Sequence, residues 1–162
     1  MQFSENSRVW VYQSDRKLTD AEVNEIKQHL DNFTTGWTAH NNQLKAVAEI
    51  KYNRFLILIV DENQAGASGC SIDKSVHFIK QLETAYNINL LDRFNLAYRK
   101  GNEVLSAPRH DFEALIKEGN INTDTIVFNN MVQNLKELQT KWEVPFKESW
   151  HIQLFRDLVI SH

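Results

Sequence analysis

The feature that most constrains this chain is Phe55-Leu-Ile-Leu-Ile-Val60, its longest wholly apolar run. Six apolar residues in succession, preceded by Asn53-Arg54 and closed by Asp61-Glu62, suit a β-strand that buries both of its faces. Such a strand is central in its sheet and needs cover on two sides. Leu44 to Tyr52, just before it, alternates apolar and polar residues, so the two segments read as a hairpin turning at Asn53-Arg54. The run falls far short of the ~20 residues of a membrane span. Met1-Gln2-Phe3-Ser4-Glu5 is too polar for a signal peptide. No membrane partner is therefore expected.

The rest of the chain supplies the cover. Arg8-Val-Trp-Val-Tyr-Gln13 alternates in the manner of a first strand with one buried face. Thr19-Asp-Ala-Glu22 is a capping box with Leu18 and Val23 in staple positions, and Val23, Ile26, Leu30 and Phe33 continue it as a core-facing helix up to Gly36. A second helix is predicted from about Ser71 to Tyr86. Phe94 to Arg99 and Glu103 to Ser106 form a hairpin turning at Lys100-Gly101-Asn102, followed by a helix over 108–118 and a strand over Thr125-Ile-Val-Phe128. Leu135, Leu138 and Trp142 make a short amphipathic turn, and a terminal helix after Pro145 would bury Trp150, Leu154, Phe155 and Leu158.

The order strand, helix, strand, strand, helix, strand predicts an α+β fold, a ferredoxin-like βαββαβ antiparallel sheet with a C-terminal hairpin-helix-strand extension and a terminal helix. The chain reads as a single domain over 1–162, with a possible subdivision into 1–93 and 94–162. The exposed edges of such a sheet make a homodimer the expectation from fold analogy.

A chain of 162 residues buries roughly 68–70% of its unfolded surface. It folds without disulfides or metal, and neither a metal nor a cofactor is expected. The 18 Lys and Arg are balanced by 21 Asp and Glu in both halves, so the basic face that a nucleic acid demands is missing. The single cysteine, Cys70, fits a reducing compartment, and a cytoplasmic location is expected.

Gly36-Trp37-Thr-Ala-His40, Tyr52-Asn-Arg-Phe-Leu-Ile-Leu58, Ser68-Gly-Cys-Ser-Ile-Asp73, Phe128-Asn-Asn130 and Ser149-Trp-His151 together resemble a family of uncharacterised bacterial proteins of about this length that goes by the label ABC transporter ATPase. The residues oppose the label. Phe55 to Glu62 has the form of a Walker B strand, but the 54 residues before it hold one glycine, Gly36, and no phosphate-cradling G-x-x-x-x-G-K-[ST] loop. ATPase activity is rejected on that ground. A second, partial resemblance covers residues 96–130, where Tyr98-Arg-Lys-Gly-Asn-Glu-Val104, Phe112 to Ile121 and Asp124 to Phe128 look like the hairpin, helix and strand of GYF-type adaptor domains. That likeness implies peptide binding. The Gly-Tyr-Phe signature itself is missing from the chain.

Candidate chemistry centres on Ala67 to Asp73, which places small residues and a thiol at a helix start, where N–H groups and the helix dipole favour anions and thiolates. Cys70 is a candidate nucleophile or redox thiol, and Ser68, Gly69, Cys70, Ser71 and Asp73 are candidate anion ligands. Against this stands the plainer alternative of a small apolar Cys70 beside an N-capping Ser71. Were the two loops to converge, Trp37, His40 and Asp61 would complete one cleft, with His40 as a base; otherwise Trp37 is a core residue and His40 a surface one. Asp73 and His77, four apart, read as a solvent-facing pair, and no third metal ligand accompanies them. Ser149-Trp150-His151 holds reactive residue types, but Trp150 fits a core stripe. These readings favour a non-enzymatic binding or interaction domain for a small anionic ligand or a protein partner. The rivals are a Cys70-dependent enzyme or redox sensor and a peptide adaptor acting through 96–130.

Overall fold

The computed structural model describes residues 2–160. In chain order the elements are β1 (Arg8–Gln13), α1 (Asp20–Thr35), β2 (Thr38–Ala39), β3 (Asn42–Gln43), β4 (Lys45–Lys51), β5 (Phe55–Asp61) and α2 (Gly69–Tyr86). They continue as β6 (Asn95–Lys100), β7 (Glu103–Pro108), α3 (Arg109–Lys117), β8 (Ile126–Phe128), α4 (Leu135–Lys141), β9 (Glu143–Pro145), a 3₁₀ turn over Phe146–Glu148, α5 (His151–Leu154) and α6 (Arg156–Ile160).

β5 is buried over its whole length and central, in an antiparallel sheet of order β1-β5-β4. The strand's two-residue period sorts its side chains. Leu56, Leu58 and Val60 pack with Ile26 and Leu30 of α1 and Ile79 and Leu82 of α2. Phe55, Ile57 and Ile59 point the other way, onto Ala97 and Phe128 of a second antiparallel sheet, ordered β7-β6-β8-β9, and onto Leu138 and Trp142. The far side of this second sheet, from Leu96, Tyr98 and Val127, is covered by Phe112, Ile116 and Phe155. The result is four layers: helices, sheet, sheet, helices.

This mixed α and β architecture with antiparallel pairing matches the expected class, and the ferredoxin-like single sheet does not form. In that topology the strand after α2 would join the sheet of β1; here it is β6 and founds the second sheet. The physical reason lies in β5. A sheet with two helices on one face leaves the other to solvent, and exposing Phe55, Ile57 and Ile59 would forfeit roughly 1.5–3 kcal/mol for each side chain. The second sheet is what covers them.

Local corrections have equally local causes. β2 and β3 form a small hairpin through His40 and Asn41, both at positive φ (51° and 65°), the backbone of a two-residue primed turn. The expected terminal helix is broken: Ser149 takes extended backbone (φ −104°, ψ 158°), which separates the 3₁₀ turn from α5. No helix among the described residues is long and apolar enough to cross a membrane.

Candidate functional site

At the start of α2 several polar groups are satisfied from within the chain. The Ser68 hydroxyl caps the helix by accepting from Ser71 N–H at 3.2 Å, while the Ser71 hydroxyl donates to the Ser68 carbonyl at 2.7 Å. Glu62 places its carboxylate at the same turn, accepting from Ala67 N–H at 2.9 Å. Trp37, buried, donates its indole N–H to the Ser71 carbonyl at 2.8 Å. The structure thus brings the Trp37 and Ser71 loops together, and the tryptophan is a core residue rather than the wall of a cleft. Ser71 is buried beneath it, while Gly69, Cys70 and Asp73 are exposed.

The other predicted site residues stand apart. His40 is exposed at the tip of the β2–β3 turn. Asp61 is buried and accepts from the backbone N–H groups of Ser4 and Asn63, both at 3.1 Å, with Lys45 Nζ at 3.5 Å. Those two donors, and then Lys45, hold its carboxyl below the usual carboxylate range. It pins the N-terminal segment to the end of β5. No cluster of three or more metal-ligating residues occurs among the described residues. Asp73 and His77 flank a shallow groove of about 460 Å³ beside the stacked rings of Phe33 and Phe78. Tyr98, Phe112 and Phe128, the aromatic residues of the adaptor-like segment, are all buried.

A larger cavity than that groove lies elsewhere, a cleft of about 1060 Å³ along β1. Its walls come from β1, from residues 90–96 and 128–134, and from Trp150 and His151. Val9, Trp10, Val11, Tyr12 and Gln13 all line it, although successive side chains of a strand point to opposite faces. Five consecutive residues can share one wall only where that wall is the strand's edge. Among the described residues, two of the three large exposed apolar side chains, Phe94 at 49% and Met131 at 63%, stand on its rim.

One end of the cleft is closed by amides. Gln13 donates to the Asn95 carbonyl at 2.7 Å and accepts from Asn130 Nδ2 at 2.9 Å, and Asn130 in turn accepts from the Trp142 indole at 2.9 Å. Also in the lining, the buried Trp150 Nε1 has no hydrogen-bond partner. Beside it His151, 1% exposed, holds its Nδ1 2.6 Å from the Ser149 hydroxyl. Burial pulls the His151 pKa down from 6.5 to about 4, so the imidazole is neutral. Arg8 and Arg93 line the mouth, and Arg109 reaches to 5.9 Å from the Phe94 ring; Asp92 is the one carboxylate in the lining.

Of the residues singled out from the sequence for chemistry, Trp150 and His151 line this cleft, whereas Trp37, His40, Asp61 and the residues from Ser68 to Asp73 do not. Sequence reasoning missed it because a strand edge leaves no motif. The signal available was an unusual pair of exposed apolar residues, Phe94 and Met131, set among asparagines. Comparison with protein-family models, with curated proteins and with solved structures gives no match.

Proposed function

We propose that this protein is a non-enzymatic binding module and that its site is the cleft along β1, which takes a segment of a protein partner. The observation that carries the reading is the edge of β1 left unpaired beyond the Val9 N–H, which lines a cleft rimmed by Phe94 and Met131. Such a rim is the apolar anchor that protein contacts favour. Phe128, Asn130, Trp150 and His151, drawn from two segments far apart in sequence, also converge here. Among the described residues the one serine or cysteine hydrogen-bonded to a histidine is Ser149 with His151, and it supports binding over catalysis. Both residues are buried, and an imidazole with a pKa of about 4 is a poor base near neutral pH.

The test sets the cleft against the start of α2. Wild-type protein and the variants Phe94→Asp, Met131→Asp and Cys70→Ser are applied to an array of immobilised octapeptides, with circular dichroism as the control for folding. Binding to the retained octapeptides should fall at least tenfold in both aspartate variants and stay unchanged in Cys70→Ser. Loss in Cys70→Ser with full binding by the aspartate variants would move the site to α2 and overturn the proposal.

A further inference from the structure

We infer that the partner enters as an added β-strand on β1 and that its segment alternates apolar and acidic residues, an inference that rests on the cleft being the binding site. The first support is the direction of the backbone groups. Val9 N–H donates outward to the Gln133 carbonyl at 3.1 Å, and the Ser7 carbonyl accepts outward from Leu135 N–H at 2.8 Å. Antiparallel pairing alternates, so the N–H and C=O of Val11 leave the sheet on that same side. β1 is the edge of its sheet, and among the described residues no backbone group pairs with Val11 there. The chain has begun a ladder on this edge with the bridge between Arg8 and Asn134, and the ladder stops. Gln133 already holds the Val9 N–H, so the open edge runs from the Val9 carbonyl to Gln13, at most about 13 Å at the usual strand rise of about 3.3 Å, room for three or four residues of another strand.

A second support comes from the other sheet edges. Exposed edges are guarded in folded proteins by charge, proline or brevity. β4 carries Lys45, Glu49 and Lys51; β7 begins at Glu103 and ends in Pro108; β9 is three residues, Glu143 to Pro145. β1 begins at Arg8, which is tied to Glu62, and from there offers Val-Trp-Val-Tyr-Gln, with neither charge nor proline. This is the edge left able to pair, and strand addition is an established mode of peptide recognition.

Charge decides the side chains. Arg8 and Arg93 line the cleft and Arg109 lies against Phe94, with Asp92 as the single carboxylate in the lining. Arg8 also reaches Glu62, at 3.7 Å, with 42% of its side chain exposed. Three arginines against Asp92 and Glu62 leave the mouth one charge positive, on a chain whose net charge is −3. Phe94 and Met131 supply the apolar contacts. An added strand meets both demands when apolar residues alternate with Asp or Glu.

The probe is a capped octapeptide of alternating Glu and Val, compared with an alternating Lys and Val peptide and with two Glu-Val versions N-methylated on one or the other alternate set of residues. Amide hydrogen exchange of Val11 and chemical-shift changes at Phe94 and Met131 are the readouts. The Glu-Val peptide should slow Val11 exchange at least tenfold. Methylation of one set should abolish this protection and methylation of the other should leave it, because alternate N–H groups of a strand point to opposite sides. The Lys-Val peptide should bind at least tenfold more weakly. Shifts at Phe94 and Met131 without protection of Val11 would overturn strand addition and leave the cleft as a binding site. Equal binding of the Lys-Val peptide would overturn the acidic preference. Silence at all three residues would overturn both the inference and the reading beneath it. Protection of Val11 that grows with protein concentration alone would make the occupant a second copy of this chain, and overturn an acidic partner.

Discussion

His151 shows how much a single burial can decide. Its imidazole is 1% exposed and hydrogen-bonded to Ser149, and desolvation lowers its pKa to about 4. Unfolding returns it to about 6.5, so between these values the unfolded chain binds the extra proton and stability falls as pH falls. At pH 4.5 the loss relative to pH 7 is roughly 2.5 kcal/mol, from about 1.4 kcal/mol per unit of pKa difference. Urea unfolding of wild type and His151→Gln at both pH values isolates the contribution. The wild type should lose about 2.5 kcal/mol more than the variant on acidification, and equal losses would refute the assignment. The residue types in Ser149-Trp150-His151 were visible in the sequence. Their placement was not, because it follows from Ser149 breaking the helix and folding the segment back towards β1. Cys70 shows the reverse case: its place near a helix start was legible, although the helix begins at Gly69 and its cap is Ser68 rather than Ser71, while the contacts from Trp37 and Glu62 arrive from other elements.

At the scale of elements, what was legible tracks how local the signal is. The capping box of α1 forms as read, with Thr19 accepting from Glu22 N–H at 3.1 Å and Glu22 accepting from Thr19 N–H at 3.0 Å. Arg16 adds two hydrogen bonds to the Glu22 carboxylate, at 2.8 and 2.7 Å, and with the capping contacts holds its pKa at about 2. Thr19→Ala removes one acceptor and is expected to cost about 1 kcal/mol in denaturant unfolding. A cost below about 0.3 kcal/mol would show that Arg16 and Glu22 fix the helix start without the cap. β5 was legible for the same reason, since its apolar run needs no partner to be recognised. β2 and β3 were not: His40-Asn41 lacks the glycine that announces a two-residue turn, and His and Asn carry the positive φ instead. β9 escaped because three residues ending in Pro145 give no periodicity to read.

For the whole molecule, the sequence established that β5 needs two covers and could not say what the second one was. The choice is made by the face of Phe55, Ile57 and Ile59, which meets Phe128, Leu138 and Trp142 in a single cluster. Polar contacts run across the same boundary. Tyr52 donates its hydroxyl to Glu143 Oε2 at 2.6 Å, Arg99 donates to Glu143 Oε1 at 2.6 Å, and the Arg99 guanidinium lies 4.8 Å from the Tyr52 ring centroid. A division near residue 93 follows the boundary between the two sheets, but each side uses the other as its core wall. The cleft too is built from both sides, with β1 from one and residues 128–134 and 150–151 from the other. A chain of residues 1–93 alone would expose the Phe55 face of the first sheet, forfeiting roughly 1.5–3 kcal/mol for each large side chain uncovered. Against total stabilities of about 5–15 kcal/mol, that loss is decisive. Expressed by itself, this segment should yield no monomer with a cooperative unfolding transition, whereas the full chain should unfold in one step seen alike by tryptophan fluorescence and circular dichroism. A soluble 1–93 monomer with a sharp transition would show that the first sheet needs no second one. The β1 cleft would then be a junction between independent units, and its width would be free to change when a strand is added.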